Sequence, residues 1–367
     1  MNTIDDIIGI MDDWAPPSLA ESWDNVGLLT GSPDREVKSI VLTLDVTDHT
    51  IEIARSLPLS LIISHHPLIF KPLSRLSGND RTSKLVRSAV KYDVAIFAAH
   101  TNLDRAPDGV SHALARHLGL SDITPLTRQG VSLCKFVTFV PPEHTDTVRH
   151  AAGDAGAGVI GEYRYCSFTS GGTGTFVPSD AARPFSGKAG DLSRERENRL
   201  EMVVPESLLG NVVEAARKVH PYEEMAYDII PLWNDGPATG YGAVGMLPEP
   251  LSRDRFLKTV SASFGNERID FSMGGPSDIR RVAVMGGSGS SEIPNAIREH
   301  ADAYVTSEIG HHSFLDYGDE MLLVSASHRA TELPILAEIQ KRLSAQCQNI
   351  TFQIETGTLP FIQSHPE

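Results

Sequence analysis

Continuous runs of apolar residues constrain the fold of this chain more than any other feature. Residues 59–64 read LSLIIS, and a run without polar alternation is typical of a parallel strand that is covered on both faces. Patterns with helical spacing separate this run from comparable ones at 39–47, 93–100, 280–287, 302–308 and 321–327. Strands and helices in this order predict an α/β body.

The pattern changes over residues 128–232. Strand-like and helical segments follow one another there in the order β-α-β-β-α-β, which is that of a ferredoxin-like domain. Within a glycine-rich stretch at 156–178, the segment SFTSGGTGTFVP (167–178) is typical of a hairpin with glycine turns. The sequence therefore predicts an α/β body of residues 1–127 and 233–367, split by an inserted domain at 128–232. The segment 234–242 (NDGPATGYG) is predicted to be a linker.

Composition argues against several classes of protein. The net charge is −15 over 367 residues and no basic run is present, which disfavours binding along a nucleic-acid backbone. No apolar run reaches the ~20 residues that cross a bilayer, and the N-terminus is acidic, unlike a signal peptide. Three widely separated cysteines, Cys134, Cys166 and Cys347, form no disulfide or metal-binding pattern. We expect a cytoplasmic protein with no membrane or nucleic-acid partner.

Residues with metal-binding chemistry follow four of the predicted strands. Because ligands of α/β sheets bind beyond the carboxyl ends of the strands, groups at these ends can meet at one site. We expect the four ends to belong to one sheet. The groups are His65 and His66 after LSLIIS, His100 and Asp104 after VAIFAA, Glu308 with His311 and His312 after DAYVTS, and His328 and Glu332 after MLLVSAS.

The two adjacent histidines set a geometric requirement. In a continuing strand, the side chains of His65 and His66 would point to opposite faces of the sheet. Pro67 favours an extended or turn conformation at the residue before it. Both rings can therefore reach one cleft only if the strand ends at Ser64.

Spacing and residue type together predict a metal site. His328 and Glu332 are four residues apart and would share one face of a helix, whereas the segment from Asp104 to Pro107 is more typical of a loop. Imidazoles with carboxylates favour Zn, Fe or Mn over Ca or Mg. Five such groups exceed what one tetrahedral zinc takes. Two metals roughly 3.5–4 Å apart are therefore predicted, with the ligands His65, His66, Asp104, His328 and Glu332.

Each motif also has an ordinary structural interpretation. Taken alone, the HxxxE pair is more often a pair on a helix surface, and the HHP stretch is as often structural as functional. The stretch MGGSGSS at 285–291 has backbone N–H groups that could hold a phosphate, but a tight turn also accounts for its glycines and is favoured. We interpret HPYEE at 220–224 as a loop at a subunit contact and Cys166 as structural.

Nine stretches that span nearly the whole chain match the motifs of one known family. They are ESWDNVGLLTGSP (21–33), LTLDVT (42–47), ISHHPLIF (63–70), AAHTNLDRAPDGV (98–110), GEYRYCSFTSGGTGTF (161–176), HPYEEMAYDIIPL (220–232), VMGGSGSS (284–291), VTSEIGHH (305–312) and SHRATE (327–332). Together they resemble the Nif-three-like dinuclear-metal-centre family, of YbgI and YqfO type, whose members are often labelled GTP cyclohydrolase type 2 homologues.

The resemblance implies a toroidal homohexamer with a dinuclear site in each subunit, facing an internal cavity. It assigns ligand roles to the same five residues, His65, His66, Asp104, His328 and Glu332. The inserted domain resembles CutA and PII signalling proteins, and in the family such domains form trimers that cap the ring. The family often has Thr-Gly-Asp where this chain has Thr306-Ser307-Glu308, and Gly-His where it has Ser327-His328.

Two functions follow as hypotheses. The first is a metal-dependent hydrolase of a small molecule. Its ligands would be arranged with Glu332 and Asp104 as bridges, His65 on one metal, and His66 and His328 on the other. Protons would be moved, or the ligands oriented, by Glu308, His100 and His311. The alternative is a regulatory or scaffolding metal-binding hexamer that acts on a small effector or partner through its PII-like domain.

Overall fold

A computed structural model describes residues 2–127, 129–161 and 163–357. These residues form two compact units. The first combines the residues before 129 with those from 239 onward, and the second is 129–238. The predicted α/β class is confirmed, with two sheets in the first unit and one in the second. Among the helices of these ranges, none is long and apolar enough to span a membrane.

The elements are numbered in chain order. The strands are β1 (Gly27–Thr30), β2 (Ser39–Thr43), β3 (Ser60–Ser64), β4 (Ala95–Ala98), β5 (Ser121–Pro125), β6 (Gln129–Val140), β7 (Phe168–Phe176), β8 (Ser193–Pro205), β9 (Tyr227–Thr239), β10 (Ala243–Ser252), β11 (Asp270–Phe271), β12 (Asp278–Ser288), β13 (Ala303–Ser307), β14 (Leu322–Ala326) and β15 (Thr351–Ile354). The helices are α1 (Ile4–Trp14), α2 (Asp48–Ser56), α3 (Arg81–Lys91), α4 (Thr101–Arg105), α5 (Val110–His117), α6 (Thr145–Asp154), α7 (Leu209–Val219), α8 (Arg253–Ser263), α9 (Ile293–Arg298), α10 (His311–Tyr317), α11 (His328–Glu332) and α12 (Pro334–Gln346).

The first unit contains two sheets. One has the order β1-β4-β3-β2-β15, in which β15, β2, β3 and β4 are parallel and β1 is antiparallel. The other has the order β11-β14-β13-β12-β10-β5, in which β12, β13 and β14 are parallel. The strands β12, β13 and β14 pair with one another and with β10 and β11, so among the described residues they belong to a second sheet and do not extend the first. The expectation that all four site-bearing strands share one sheet is therefore wrong.

The second unit has one sheet with the order β7-β8-β6-β9. The strand β8 pairs antiparallel with both β6 and β7. Helices α6 and α7 pack their apolar residues, among them Val148 and Val212, into one core with the inward residues of β6 and β8. This is the β-α-β-β-α-β order that the sequence predicted.

Two local predictions were wrong. The strand β9 continues through Thr239, so most of the predicted linker at 234–242 is strand. Asp104 lies in helix α4 and not in a loop. A distant residue explains the helix, because the Asp24 carboxylate accepts hydrogen bonds from the backbone N–H and the hydroxyl of Thr101 at its N-terminus.

The strand β3 is buried on both faces, as its continuous apolar run predicted. Ile63 belongs to a core with Ile4 and Ile339, from α1 and α12. Ile62 points the other way, into a core with Ile51 and Leu85, from α2 and α3. Helices on both faces thus hold the carboxyl end of β3 in place.

Truncating either isoleucine should destabilise the protein to a similar extent. Both Ile62→Ala and Ile63→Ala remove buried methylene groups and leave a cavity, so each should lower the free energy of unfolding by about 2–5 kcal/mol in urea denaturation. Leu315→Ala, at an exposed position of α10, serves as the control and should change it by less than about 0.5 kcal/mol. A near-zero effect for one member of the pair would mean that one face of β3 is uncovered.

Candidate metal centre

The histidine pair lies where β3 ends. The last residue of the strand is Ser64. The backbone N–H groups of His65 and His66 still donate to the carbonyls of Thr43 and Leu44, at 3.0 and 2.9 Å. The two imidazole rings nevertheless lie together, with centroids 5.0 Å apart. The requirement that the strand end at Ser64 is confirmed.

The Nε2 nitrogen of His65 faces two carboxylates. Its ring is fully buried, and Nδ1 lies 2.8 Å from the carbonyl oxygen of Ala99, which can only accept, so Nδ1 carries the proton. Nε2 then faces Asp104 Oδ1 at 3.6 Å and Glu332 Oε1 at 3.7 Å. It forms no hydrogen bond to any described residue. Burial would lower the pKa of His65, but Asp104 and Glu332 raise it, so a cation at Nε2, either a proton or a metal ion, is stabilised by the two carboxylates.

Glu332 connects three imidazoles. The helix α11 begins at His328, and its N-cap is Ser327, whose hydroxyl accepts from the backbone N–H of Ala330. One turn later, Glu332 Oε1 lies 2.9 Å from His328 Nε2, and Oε2 lies 3.2 Å from His66 Nε2. Burial would raise the pKa of Glu332, but the imidazoles around it, His65 first, hold that pKa well below its usual range. The carboxylate therefore stays ionised.

His100 forms a second group with the histidine pair. Its ring centroid lies 5.2 Å from that of His65 and 5.5 Å from that of His66. Nδ1 is 3.0 Å from Asp24 Oδ1, which leaves Nε2 on the opposite side of the ring. Two sets of possible metal ligands result: His65, His66 and His100, and His66, His328 and Glu332. From sequence, His100 was predicted to move protons or to orient the ligands, and not to bind metal.

Sequence reasoning missed two carboxylates that orient the imidazoles. Asp45 Oδ1 lies 3.1 Å from His66 Nδ1, and Asp24 holds His100 in the same way. Hydrogen bonds of this kind fix the ring orientation and the tautomer of a ligating histidine. The signal for Asp45 was available, because it follows the β2 strand as His65 follows β3. Asp24 precedes β1 in an irregular segment, and no periodic pattern points to it.

Glu308 and His311, the other two residues predicted to move protons, differ in their contacts with the cluster. Glu308 follows β13 with a φ of +57°, a conformation that is uncommon outside glycine. Its Oε1 lies 3.2 Å from His328 Nδ1, and its side chain is 59% exposed. His311 is the first residue of α10, and its ring contacts that of His312 at 5.6 Å between centroids. Neither histidine belongs to the two ligand groups found among the described residues.

A glycine lets the second sheet approach the cluster. Gly287, in β12, has a φ of +69°, and its N–H donates to the hydroxyl of Thr331 at 3.0 Å. A Cβ at this position would lie 2.5 Å from Glu332 Oε1 and 3.4 Å from His328 Nε2. The glycines of MGGSGSS are therefore explained in part by close packing against the cluster.

The donor set fits a divalent transition metal. Imidazole and carboxylate groups are the ligands that Zn, Fe and Mn take in proteins. His65 Nε2 is buried without a hydrogen bond within the described ranges, and unpartnered buried polar atoms are rare unless an ion or water meets them. The side chains present can therefore hold a metal.

The fold and this centre define the class: an α/β protein with His and Glu groups that could bind a metal. The model of the Duf34/NIF3 (NGG1p interacting factor 3) family matches residues 2–364. The chain thus belongs to the Duf34/NIF3 family, which confirms the resemblance seen in its sequence.

Individual relatives agree with this membership. A Bacillus subtilis protein named GTP cyclohydrolase 1 type 2 homolog is 37% identical over 370 residues, covering 97% of both chains. One of the same name from Halalkalibacterium halodurans is 42% identical over 311 residues, covering 83% of this chain and 82% of its own. The crystal structure of a Bacillus cereus protein related to NIF3 is 35% identical and superposes with a TM-score of 0.81 over 99% of both chains.

Adding a methyl group at Gly287 should abolish metal binding. The new Cβ of Gly287→Ala would overlap Glu332 Oε1, so we expect metal affinity to fall by at least ~100-fold in an equilibrium titration. Gly119→Ala is the matched control, because Gly119 also has a positive φ (+77°) but open space around its Cβ position. Both variants should lose about 1 kcal/mol of stability from backbone strain. Equal metal binding by the two variants would show that Gly287 does not shape the centre.

Proposed function

We propose that this protein is a metal-dependent hydrolase of a small molecule, with two divalent transition metals, Zn, Fe or Mn, per chain. The observation that carries the proposal is His65 Nε2, a buried atom with no hydrogen bond to any described residue, which lies against Asp104 and Glu332 in a cluster of imidazoles and carboxylates. A purely structural histidine cluster would be expected to satisfy such atoms with hydrogen bonds.

The geometry supports a division of the ligands between two positions. His65, Asp104 and Glu332 face one another on the buried side, within 3.7 Å for the two contacts of His65. His66, His328 and Glu332 form the other set. In this arrangement Glu332 is shared, as proposed from sequence, and His100 is a further candidate ligand beside His65 and His66.

The chain's own residues would position and move protons. When bound, two metals supply an activated nucleophile at neutral pH and a Lewis acid for a substrate oxygen. Glu308 lies at the exposed rim, and its contact with His328 leaves it accessible to a substrate proton. His100 is oriented by Asp24, so its Nε2 can exchange a proton on the side of the histidine pair. His311 would act only on a substrate that reaches α10.

We also propose that residues 128–232 form an inserted PII-like domain through which copies of the chain meet in a homohexamer. Large apolar side chains on the surface of the second unit support this, since exposed apolar patches mark interaction sites. They include Tyr163, Phe168, Ile230 and the fully exposed Trp233. This observation also favours the second candidate function, a regulatory or scaffolding hexamer.

Metal content provides the first test. Protein purified without added metal should contain one to two transition-metal ions per chain by mass spectrometry. His66→Ala removes a group common to both ligand sets and should lose most of this metal. Asp45→Asn keeps the ligands but loosens the His66 ring, so affinity should fall about 10–100-fold. Asp48→Asn, an exposed carboxylate three residues further on, should change nothing. Wild type with less than one ion per chain, unaltered by His66→Ala, would refute the metal centre.

Turnover distinguishes the two candidate functions. Among nucleotides, phosphoesters and cyclic amides, at least one should be hydrolysed in a metal-dependent manner. Glu308→Gln should lower kcat by about 100-fold or more even when metal is supplied to saturation. Glu320→Gln, at another exposed glutamate, should be neutral. No turnover across the panel, with saturable small-molecule binding that survives Asp104→Asn, would favour the regulatory function.

A further inference from the structure

Two large aromatic side chains stand exposed at the edge of the metal centre. Trp23 is 57% exposed and Phe70 is 45% exposed. Their rings lie 5.8 Å apart and are tilted by 52°, so they form an open wedge with free faces. Trp23 also contacts His100 edge-on, at 6.3 Å between centroids. An aromatic surface thus adjoins the histidines of the candidate centre.

This aromatic surface is held rigidly. Asp24, next to Trp23, has a fully buried side chain that accepts from Thr101 and contacts His100 Nδ1 at 3.0 Å. Asn25 Nδ2 donates to the carbonyl of Ile69, the neighbour of Phe70. The two loops are therefore tied to each other and to the cluster. Large apolar rings kept exposed on an anchored backbone favour a binding role, because nothing in their own surroundings requires the exposure.

We propose that Trp23 and Phe70 form a stacking platform for a planar heteroaromatic ring in the substrate, and so act as specificity-determining residues. The proposal rests on the hydrolase function above and names its substrate class. A ring stacked on Trp23 lies beside His100, which is only 5.2–5.5 Å from His65 and His66 between ring centroids. A substituent a few bonds long would bring the reacting group to the cluster. Stacking on an aromatic side chain is tolerant of ring identity, so the platform selects a ring and not a particular base.

Charged groups near the platform further restrict the class of substrate. Five carboxylates surround the histidines: Asp24, Asp45, Asp104, Glu308 and Glu332. Binding of a neutral nucleoside would depend little on these charges, whereas an anionic substituent would be favoured by each metal cation added to the cluster. Ring stacking and metal content can therefore be measured separately.

Binding of adenosine, guanosine and cytidine, with ribose as the control without a ring, tests the platform. In protein that carries Trp233→Phe, Trp23 is the one exposed tryptophan left among the described residues, because Trp14 is buried. Nucleosides should quench its fluorescence saturably, with or without metal, and ribose should not. By equilibrium dialysis, Trp23→Leu should weaken nucleoside binding about ten-fold or more, and Trp23→Phe should retain most of it. Phe271→Leu, which removes another exposed aromatic ring, on β11, should have no effect. AMP should bind more tightly after metal loading.

Specific outcomes would overturn the platform. One is that none of the three nucleosides binds, or that Trp23→Leu binds them as tightly as wild type. Another is that Trp23 is shielded from a neutral quencher until the protein is diluted, which would mean that a second copy of the chain covers the surface. Metal content measured on the same samples separates the two proposals. Loss of nucleoside binding with normal metal content refutes the platform alone, and absent metal with intact nucleoside binding refutes the hydrolase centre alone.

Discussion

The end of β3 at Ser64 is the constraint on which the rest of the centre depends. Two adjacent side chains normally leave an extended chain in opposite directions. Here the backbone N–H groups of His65 and His66 keep their hydrogen bonds to Thr43, the last residue of β2, and to Leu44, while the hydroxyl of Ser64 donates to the carbonyl of His66 at 2.9 Å. The two rings can therefore converge while both backbone N–H groups keep their hydrogen-bond acceptors. Burial on both faces by Ile62 and Ile63 fixes the point in space where this happens.

The charges of the cluster depend on one another. Burial would lower the pKa of His66, but its contacts with Asp45 and Glu332 raise that pKa to about 10. Burial raises the pKa of Asp104, which lies against His65 and Glu332. Removing one partner from such a group leaves an uncompensated buried charge, which costs more than the lost contact itself. Because Glu332 belongs to the segment after the second sheet and the histidine pair to the first, this electrostatic group also joins the two sheets of the first unit.

Much of the fold and of the candidate centre could be predicted from the sequence, because both rest on local patterns. Continuous apolar runs gave the parallel strands, and polar residues after those runs gave His65, His66, Asp104, His328 and Glu332. What could not be predicted depends on contacts between distant segments. The helix at Asp104 exists because Asp24 caps it across 77 residues. The division into two sheets depends on which strands pair with which across the chain, and the similar apolar patterns of β3 and β13 do not specify that pairing. The sequence predicted an ordinary turn at Gly287, because no local pattern indicates that Glu332 approaches this position.

Asp24 shows how one buried carboxylate can couple several features that sequence analysis treats separately. It orients His100, caps the helix that carries Asp104, and anchors the backbone beside Trp23. Burial would raise its pKa, but the contacts with His100 and Thr101 depress that pKa far below the usual range, so the group is ionised in all three roles. The candidate ligands and the aromatic surface therefore share one electrostatic support. A metal position, a proton carrier and a substrate ring would be held in fixed geometry by this carboxylate, as a reaction that needs all three together requires.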